Sequence, residues 1–218
     1  MTATEPEWRT RAVARSVDAA RDRAEQRVQR FLDAAFALID ERGSTEFSVQ
    51  DVAERSRQSL RTFYEYFDSL DELMIALFEE TVREALHDIR AAVDRHEDPL
   101  DRVRAFVVTL YDWCDPDEHP RKRGEHVRRP VSEFAVHLAP NHAERVRAAL
   151  VPQTRLLRSL LDDAGAAGAL GAIDPRRAAA LVQQMVFSNW FGNRLIENPD
   201  HRIGADEMWD FCRRGLGA

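Results

Sequence analysis

Apolar side chains recur every three or four residues through most of the chain, and strict alternation of apolar and polar residues is nearly absent. The first spacing is typical of amphipathic helices, whereas alternation would indicate strands. Glycines and prolines lie mostly between the periodic segments, where they end helices. The pattern therefore predicts an all-α protein with longer helices near residues 25–42, 100–114, 125–138, 141–164, 175–197 and 205–214.

Three further helix starts are marked by capping residues. Ser48 and Asp51 fit a capping box, in which the serine hydroxyl accepts the N–H of the third residue and the carboxylate accepts the serine's own N–H. Ser59 can cap a second short helix, and a capping box at 69–72 opens a long one. Two capped short helices separated by a brief break have the layout of a helix-turn-helix, whose second helix can enter the major groove of DNA.

The residues within this layout carry a more specific pattern. The run SVQDVAERSRQSLRTFYEYFDSLDEL, residues 48–73, resembles the N-terminal DNA-binding domain of the tetracycline-repressor (TetR) family of transcriptional regulators. The D-V-A start at 51–53, the S-x-x-T-F-Y-x-Y-F core at 59–67 and the S-x-x-E-L start at 69–73 all stand at the spacing of that family.

The resemblance implies a domain organisation and a function. It predicts an N-terminal arm at 1–22, a helix-turn-helix domain at 23–69 and a helical domain for effector binding and dimerisation at 70–218. The implied function is a DNA-binding transcriptional regulator, in its simplest form a repressor. Such a protein binds a palindromic operator as a homodimer and is released by a small-molecule effector.

The resemblance also assigns side chains to DNA. Leu60, Arg61 and Tyr64 stand at positions that reach base edges, and hydroxyl side chains stand at positions that commonly bond phosphate. Arginine can pair with guanine through two hydrogen bonds, while hydroxyl groups contact phosphates without distinguishing bases. Phe63 and Phe67, four residues apart, are predicted to be core. The full set of DNA-binding candidates is Ser48, Gln50, Arg57, Ser59, Leu60, Arg61, Thr62, Tyr64 and Tyr66.

Two positions depart from the family pattern. A small residue or glycine usually stands in the turn, where this chain has Arg57, and a lysine usually begins the fourth helix, where Leu70 stands. Arg57 is therefore either a substitute phosphate contact or a sign that the turn is built differently. The arginines between 9 and 23 leave a similar choice between a frayed tail and a contact in the minor groove.

Composition places these motifs in an ordinary globular protein. The chain has 218 residues, 44% of them apolar and 32% charged, with a net charge of −7. An overall negative charge leaves room for DNA binding, because only the docking face must be basic, and basic residues cluster at 55–61 and 121–129. No signal peptide or long apolar segment stands out, so we expect a cytoplasmic protein with no membrane partner.

The C-terminal region offers candidates for an effector cavity and for a dimer face. Its aromatic and histidine residues either line a ligand cavity or form ordinary core. The cavity candidates are Phe106, Tyr111, Trp113, Phe134, His137, Phe187 and Trp190. The predicted dimer face consists of Val146, Leu150, Leu157, Leu161, Leu181, Val182, Met185 and Asn189.

Rival functions find less support in the sequence. Glu84 and His87 form an E-x-x-H pair, but a di-iron site in a helical bundle needs a second such pair, and the sequence holds none. Cys114 and Cys212 have no zinc spacing and are predicted to be free thiols. We expect no enzyme, no cofactor and no metal. The alternative to a regulator is a helical protein that binds a small molecule but not DNA.

Overall fold

The computed structural model of the chain describes residues 7–42, 44–114, 122–123, 126–127 and 131–218. Apart from two short strands, this part of the chain is helical, and the prediction of an all-α fold is confirmed. The elements are α1 Glu7–Arg42, α2 Val49–Ser56, α3 Leu60–Tyr64, α4 Leu70–Val93, α5 Pro99–Cys114, β1 Lys122–Arg123, β2 His126–Val127, α6 Val131–Ala166, α7 Pro175–Arg194, a 3-10 turn Pro199–His201 and α8 Ala205–Gly215.

Two predicted helix starts are wrong. Helix α1 begins at Glu7, well before residue 25, because residues 7–24 contain many alanines and arginines and neither glycine nor proline. The helix expected from residue 125 begins at Val131. His126 instead pairs with Arg123 in a two-residue antiparallel ladder, and the proline at 130 disfavours helix in the residue before it.

Helix α6 contains the boundary that the sequence predicts between two helices. His142 has φ −133° and ψ 33°, which lie outside the helical region, and Pro140 stands two residues earlier. A proline inside a helix removes a backbone hydrogen bond and crowds the preceding turn. The segments near 131–140 and 143–166 are therefore two helices that meet at a kink.

The chain divides into two compact units, with the division between Leu73 and Met74. In the first unit, Phe31 of α1 is fully buried and packs against Phe63 of α3 and against Phe67, which follows α3. Its ring meets Phe63 at a centroid distance of 5.4 Å and Phe67 at 6.1 Å, both edge to face. Aromatic pairs favour this geometry, and it fixes α3 against α1. The core assignment of Phe63 and Phe67 is confirmed.

The second unit is built around α5, which contacts α6, α7 and α8. The hydroxyl of Tyr111 in α5 donates a hydrogen bond of 2.6 Å to the carbonyl of Ile203. The side-chain amide of Asn193 holds the same residue from α7, donating to its carbonyl at 3.1 Å and accepting from its N–H at 3.0 Å. The segment before α8 is thereby attached to the core.

Both cysteines lie in the second unit as buried free thiols. Burial raises the pKa of Cys212 to about 11, so this thiol stays protonated near neutral pH. Within the described ranges, no helix is both long enough and apolar enough to cross a membrane.

Candidate nucleic-acid interface

The start of α2 is fixed by the predicted capping box and by an arginine that the prediction did not include. The Ser48 N–H donates to Asp51 Oδ2 at 2.7 Å, and the Asp51 N–H donates to Ser48 Oγ at 3.2 Å. Arg42 Nη2, at the end of α1, lies 2.6 Å from Asp51 Oδ1. Hydrogen bonds from Arg42 and then from Ser48 hold the pKa of Asp51 well below its usual range.

This arrangement bears on the role of Ser48. Its hydroxyl lies 2.6 Å from Asp51 Oδ2 and can donate its one proton there. Ser48 therefore serves as the helix cap in this structure. A bond from Ser48 to a phosphate would require the hydroxyl to turn away from Asp51.

The turn between α2 and α3 contains a residue with a left-handed backbone conformation. This residue is Arg57, which stands where the family usually has glycine or another small residue. Arg57 has φ 56° and ψ 36°, and it is the one non-glycine residue with positive φ in the part of the chain that the structure describes. The Gln58 N–H donates to the Ala53 carbonyl at 3.0 Å, which closes the end of α2. Glycine is the usual residue in this conformation, so the turn has an ordinary backbone with an unusual side chain.

The Arg57 side chain is exposed and forms no ion pair with any described residue. Neighbouring Gln58 does have a partner, because its Nε2 donates to the main-chain carbonyl of Arg27 in α1 at 3.0 Å. Arg55 forms an ion pair with Glu41 of α1. Of these three residues, only Arg57 has no side-chain hydrogen bond or ion pair with another described residue.

Helix α3 presents the predicted base-reading side chains to solvent. Ser59 caps it by accepting the Thr62 N–H at 3.0 Å, and the two hydroxyls lie 2.9 Å apart. The Arg61 side chain is 91% exposed and lies 3.5 Å from Glu65. A guanidinium this accessible can leave a weak surface ion pair for a base edge at little cost.

The remaining candidates lie around the same helix. Leu60 and Tyr64 are exposed, although large apolar side chains usually avoid solvent. Tyr66 is half-buried just beyond the helix, and Gln50 is exposed on α2 with its amide 3.0 Å from Glu54. Helix α3 ends at Tyr64, before the end of the 59–67 motif, and residues 65–66 form a turn. Its exposed face combines a cation, an aromatic ring and an aliphatic group.

The candidates for an effector cavity fall into different environments. Phe106, Tyr111, Trp113 and Phe134 are buried, Phe187 and Trp190 are half-buried, and His137 is exposed on the surface. A groove of about 570 Å³ runs between α6 and α7, and its lining includes Val146, Leu150, Val151, Thr154, Gln183 and Phe187. Of the seven candidates, only Phe187 lines this groove.

Sequence reasoning missed two glutamines in this region. Gln153 is completely buried on the inward face of α6, and neither atom of its amide has a hydrogen-bond partner. A signal was present, because Gln153 occupies an inward position in the same helical stripe as Val146 and Leu157. Buried amides are almost always hydrogen-bonded, so a completely unpaired one needs a reason.

Gln183 of α7 also has an unpaired amide nitrogen. Its Oε1 lies 2.7 Å from the Thr154 hydroxyl, which is also 3.1 Å from the Leu150 carbonyl. A hydroxyl has one proton and can donate to only one of these oxygens. Even if the Gln183 amide were turned round to donate to Thr154, its oxygen would be left without a donor.

Five of the eight members of the predicted dimer face are buried inside their own unit: Val146, Leu157, Leu161, Val182 and Asn189. The prediction is wrong for Leu157 and Leu161, which are completely buried, whereas Val146 lines the groove between α6 and α7. Leu181 is the member of the predicted face that is well exposed. Helices α7 and α8 also expose Phe191 and Phe211, which the prediction did not include.

Two other predictions are limited by the described residues. No group of three or more His, Cys, Asp or Glu within them could hold a metal ion. Most of the basic run at 121–129 lies outside the described residues. Its described part is the backbone of 122–123, which pairs with 126–127.

Residues 31–77, which contain the C-terminal third of α1, all of α2 and α3 and the start of α4, match the family model of bacterial regulatory proteins of the tetR family. This part of the chain belongs to the TetR family. The chain is 27% identical over 174 residues to the HTH-type transcriptional regulator BetI of Brucella anthropi, an alignment that covers 72% of this chain and 88% of that protein.

Solved structures share the fold of this TetR-family chain. A transcriptional regulator of the TetR/AcrR family from Thermobifida fusca matches with a TM-score of 0.63 and 23% identity, over 89% of this chain and 96% of that one. AibR in complex with isovaleryl coenzyme A and operator DNA matches with a TM-score of 0.59 and 19% identity, over 87% and 97% of the two chains.

Proposed function

We propose that this protein is a ligand-responsive transcriptional repressor that binds a palindromic operator as a homodimer. The observation that carries the proposal is the exposed face of α3, where Arg61 and Tyr64 project while Phe63 anchors the helix to Phe31. A recognition helix needs both properties, because base edges can be distinguished only by side chains held in a fixed position. Its place of action is then the cytoplasm.

The palindrome follows from dimerisation. Leu181 and Phe191 on α7, together with Phe211 on α8, are more than half exposed. Leu181 and Phe211 line one surface groove. Exposed apolar side chains that lie together indicate an interface, and a two-fold dimer uses the same surface of both copies. Two recognition helices related by a two-fold axis require half-sites with the same symmetry.

The effector is proposed to bind near Gln153 and Gln183 in the second unit. An unpaired buried amide favours a ligand that offers a hydrogen-bond donor and acceptor on an apolar body. Helix α4 joins the two units, with Leu70–Leu73 in the first and the rest in the second. An effector that shifts α4 would change the spacing of the two recognition helices and so weaken binding to the operator.

Selection of bound fragments from random double-stranded DNA tests the function and supplies the operator. Arg61→Ala should then weaken operator binding by about 1 to 3 kcal/mol and relax specificity at one base pair of each half-site. Arg90→Ala removes an exposed arginine of the second unit and should leave binding unchanged. Equal affinities of Arg61→Ala and the wild type in a mobility-shift titration would refute the role of α3.

The alternative, a small-molecule-binding protein without DNA binding, predicts that selection yields no enriched fragment. The relatives of this chain are transcriptional regulators by name, and we propose no catalytic activity.

A further inference from the structure

The N-terminal half of α1 extends beyond the core of the first unit. The core residues of this helix begin at Phe31, whereas the described side chains from 14 to 24 are exposed or only partly covered. Val17, which would continue the apolar stripe of α1, is 59% exposed. Residues 7–24 are therefore a helical extension beyond this core, and from residue 14 onward its side chains contribute little to the packing of the first unit.

Three arginines lie along one flank of α1 where this extension meets the core. Arg23, Arg27 and Arg30 are four and three residues apart, which places them on one side of the helix. All three are exposed, and none forms an ion pair with a described residue. Arg21, on a different side, is paired with Glu25 at 2.7 Å. We refer to Arg23, Arg27 and Arg30 as the basic stripe.

The acidic residues nearest in sequence lie on other sides of the helix. Asp22 and Asp33 follow a neighbouring row, and Asp33 already accepts a hydrogen bond of 2.8 Å from Gln29. Glu25 lies on a third side, where it is paired with Arg21. The basic stripe is thus on a different face of α1 from these acidic residues. A row of arginines without acidic partners retains its attraction for an external anion.

The basic stripe lies beside the DNA-facing end of α3. The Gln58 side chain reaches the main-chain carbonyl of Arg27, the central residue of the stripe, at 3.0 Å. Gln58 directly precedes Ser59, the cap of α3. Recognition helices present their N-terminal residues to the base edges, so this end of the unit approaches the duplex most closely.

We propose that the basic stripe and the helical extension form a second DNA-contact element, which binds phosphates flanking the base pairs that α3 contacts. The proposal rests on the proposed function. Two observations support it. Gln58, which precedes the cap of α3, contacts Arg27 at the centre of the stripe, and guanidinium groups bind phosphates through paired hydrogen bonds. At about 1.5 Å per residue, the extension spans about 27 Å, which equals about 8 base pairs of duplex.

The test compares two full-length triple variants on the selected operator. Arg23→Gln, Arg27→Gln and Arg30→Gln together remove the stripe while retaining helix propensity. Arg90→Gln, Arg95→Gln and Arg214→Gln remove the same charge from exposed sites in the second unit. Mobility-shift titrations at several salt concentrations give the affinity and the slope of log K against log salt. Thermal melting checks that each variant is folded.

The stripe variant should bind operator and random duplex at least about tenfold more weakly. The slope of log K against log salt should be smaller in magnitude by about 2 to 3, because each phosphate contact contributes about 0.9 to that slope. Removing about 8 flanking base pairs from each side of the operator should weaken DNA binding by the wild type but not by the stripe variant. The second-unit variant should match the wild type in both measurements.

Three outcomes would overturn the proposal. One is a folded stripe variant with the slope and affinity of the wild type. Another is a wild type that is insensitive to trimming of the flanks. The third is a stripe variant that is monomeric in sedimentation while the wild type is dimeric, since the stripe would then contact protein. If the wild type itself enriches no DNA, the proposed function fails, and the stripe has no DNA to contact.

Discussion

Arg57 stands in a backbone conformation that a residue with a side chain adopts at a cost. The left-handed region brings Cβ close to the following carbonyl oxygen, and glycine avoids this contact. The turn nevertheless keeps its ordinary hydrogen bond from Gln58 to Ala53. A strained residue with an exposed cation, next to a recognition helix, is consistent with a contact to the DNA backbone.

Arg57→Gly should raise the free energy of unfolding by about 1 kcal/mol and weaken binding to all DNA sequences alike. Chemical denaturation and mobility-shift titration measure the two effects. Arg55→Gly, two residues earlier inside α2, should instead lower stability by about 1 kcal/mol, because glycine is unfavourable within a helix. A loss of stability in Arg57→Gly would contradict the strain at this turn.

Gln153 is a second residue whose side chain is expected to lower the stability of the fold, because its amide is buried without a hydrogen-bond partner. Gln153→Met keeps the length of the side chain and removes both unpaired polar atoms, so the free energy of unfolding should rise by about 1 to 3 kcal/mol. Gln184→Met, at an exposed position of α7, should change stability by less than about 0.5 kcal/mol. Destabilisation by Gln153→Met would mean that the amide stabilises the fold, and it would contradict the role of Gln153 in binding a ligand.

At the scale of elements, α1 and α2 are joined by a polar connection as well as by apolar packing. Arg42 at the end of α1 bonds the carboxylate that caps α2, and its Nη1 also donates to the Glu46 carbonyl at 3.3 Å. The capping box could be predicted because its residues are three apart. The contact of Arg42 could not be predicted, because it joins residues nine apart that belong to different helices.

This connection makes the first unit sensitive to acid. The pKa of Asp51 is lowered in the folded state, so its contribution is complete above the unfolded-state pKa of about 3.9 and is lost as pH falls toward the folded-state value. Asp51→Asn should therefore be less stable than the wild type at neutral pH, and the difference should shrink below about pH 4.

Unfolding curves at several pH values test this expectation. Arg42→Met serves as a second variant, because it retains the carboxylate but removes the largest cause of the lowered pKa. Its stability should change less with acid than that of the wild type. A difference between Asp51→Asn and the wild type that is constant from about pH 3 to 7 would contradict the assignment.

At the scale of the whole molecule, we propose that the exposed apolar residues of α7 and α8 form the contact between two copies. Phe191→Glu together with Phe211→Glu should convert a dimer to a monomer and abolish tight operator binding, since one half-site supplies only half of the contacts. Light scattering measures the mass. Val136→Glu places one such charge at a comparably exposed apolar site of α6 and should leave the dimer intact. A dimer that persists in the double variant would move the interface elsewhere.

The sequence alone determined the features that depend on residues a few positions apart. Helical periodicity, the caps at Ser48 and Ser59 and the recognition motif are all of this kind, because a helix brings residues three and four apart together wherever it lies. The family and the all-α fold followed from them. The sequence also identified the exposed side chains of α3, because Phe63 and Phe67 mark the opposite, buried face.

Only the tertiary structure decided which elements meet each face. An apolar stripe indicates burial but does not name its partner, so Leu157 and Val182 were assigned to a dimer although they pack within their own unit. The contacts of Arg42 with Asp51 and of Gln58 with Arg27 join residues that are distant in the chain. The unpaired amide of Gln153 likewise becomes evident only when every neighbour is in place, because hydrogen bonding is a property of the folded surroundings.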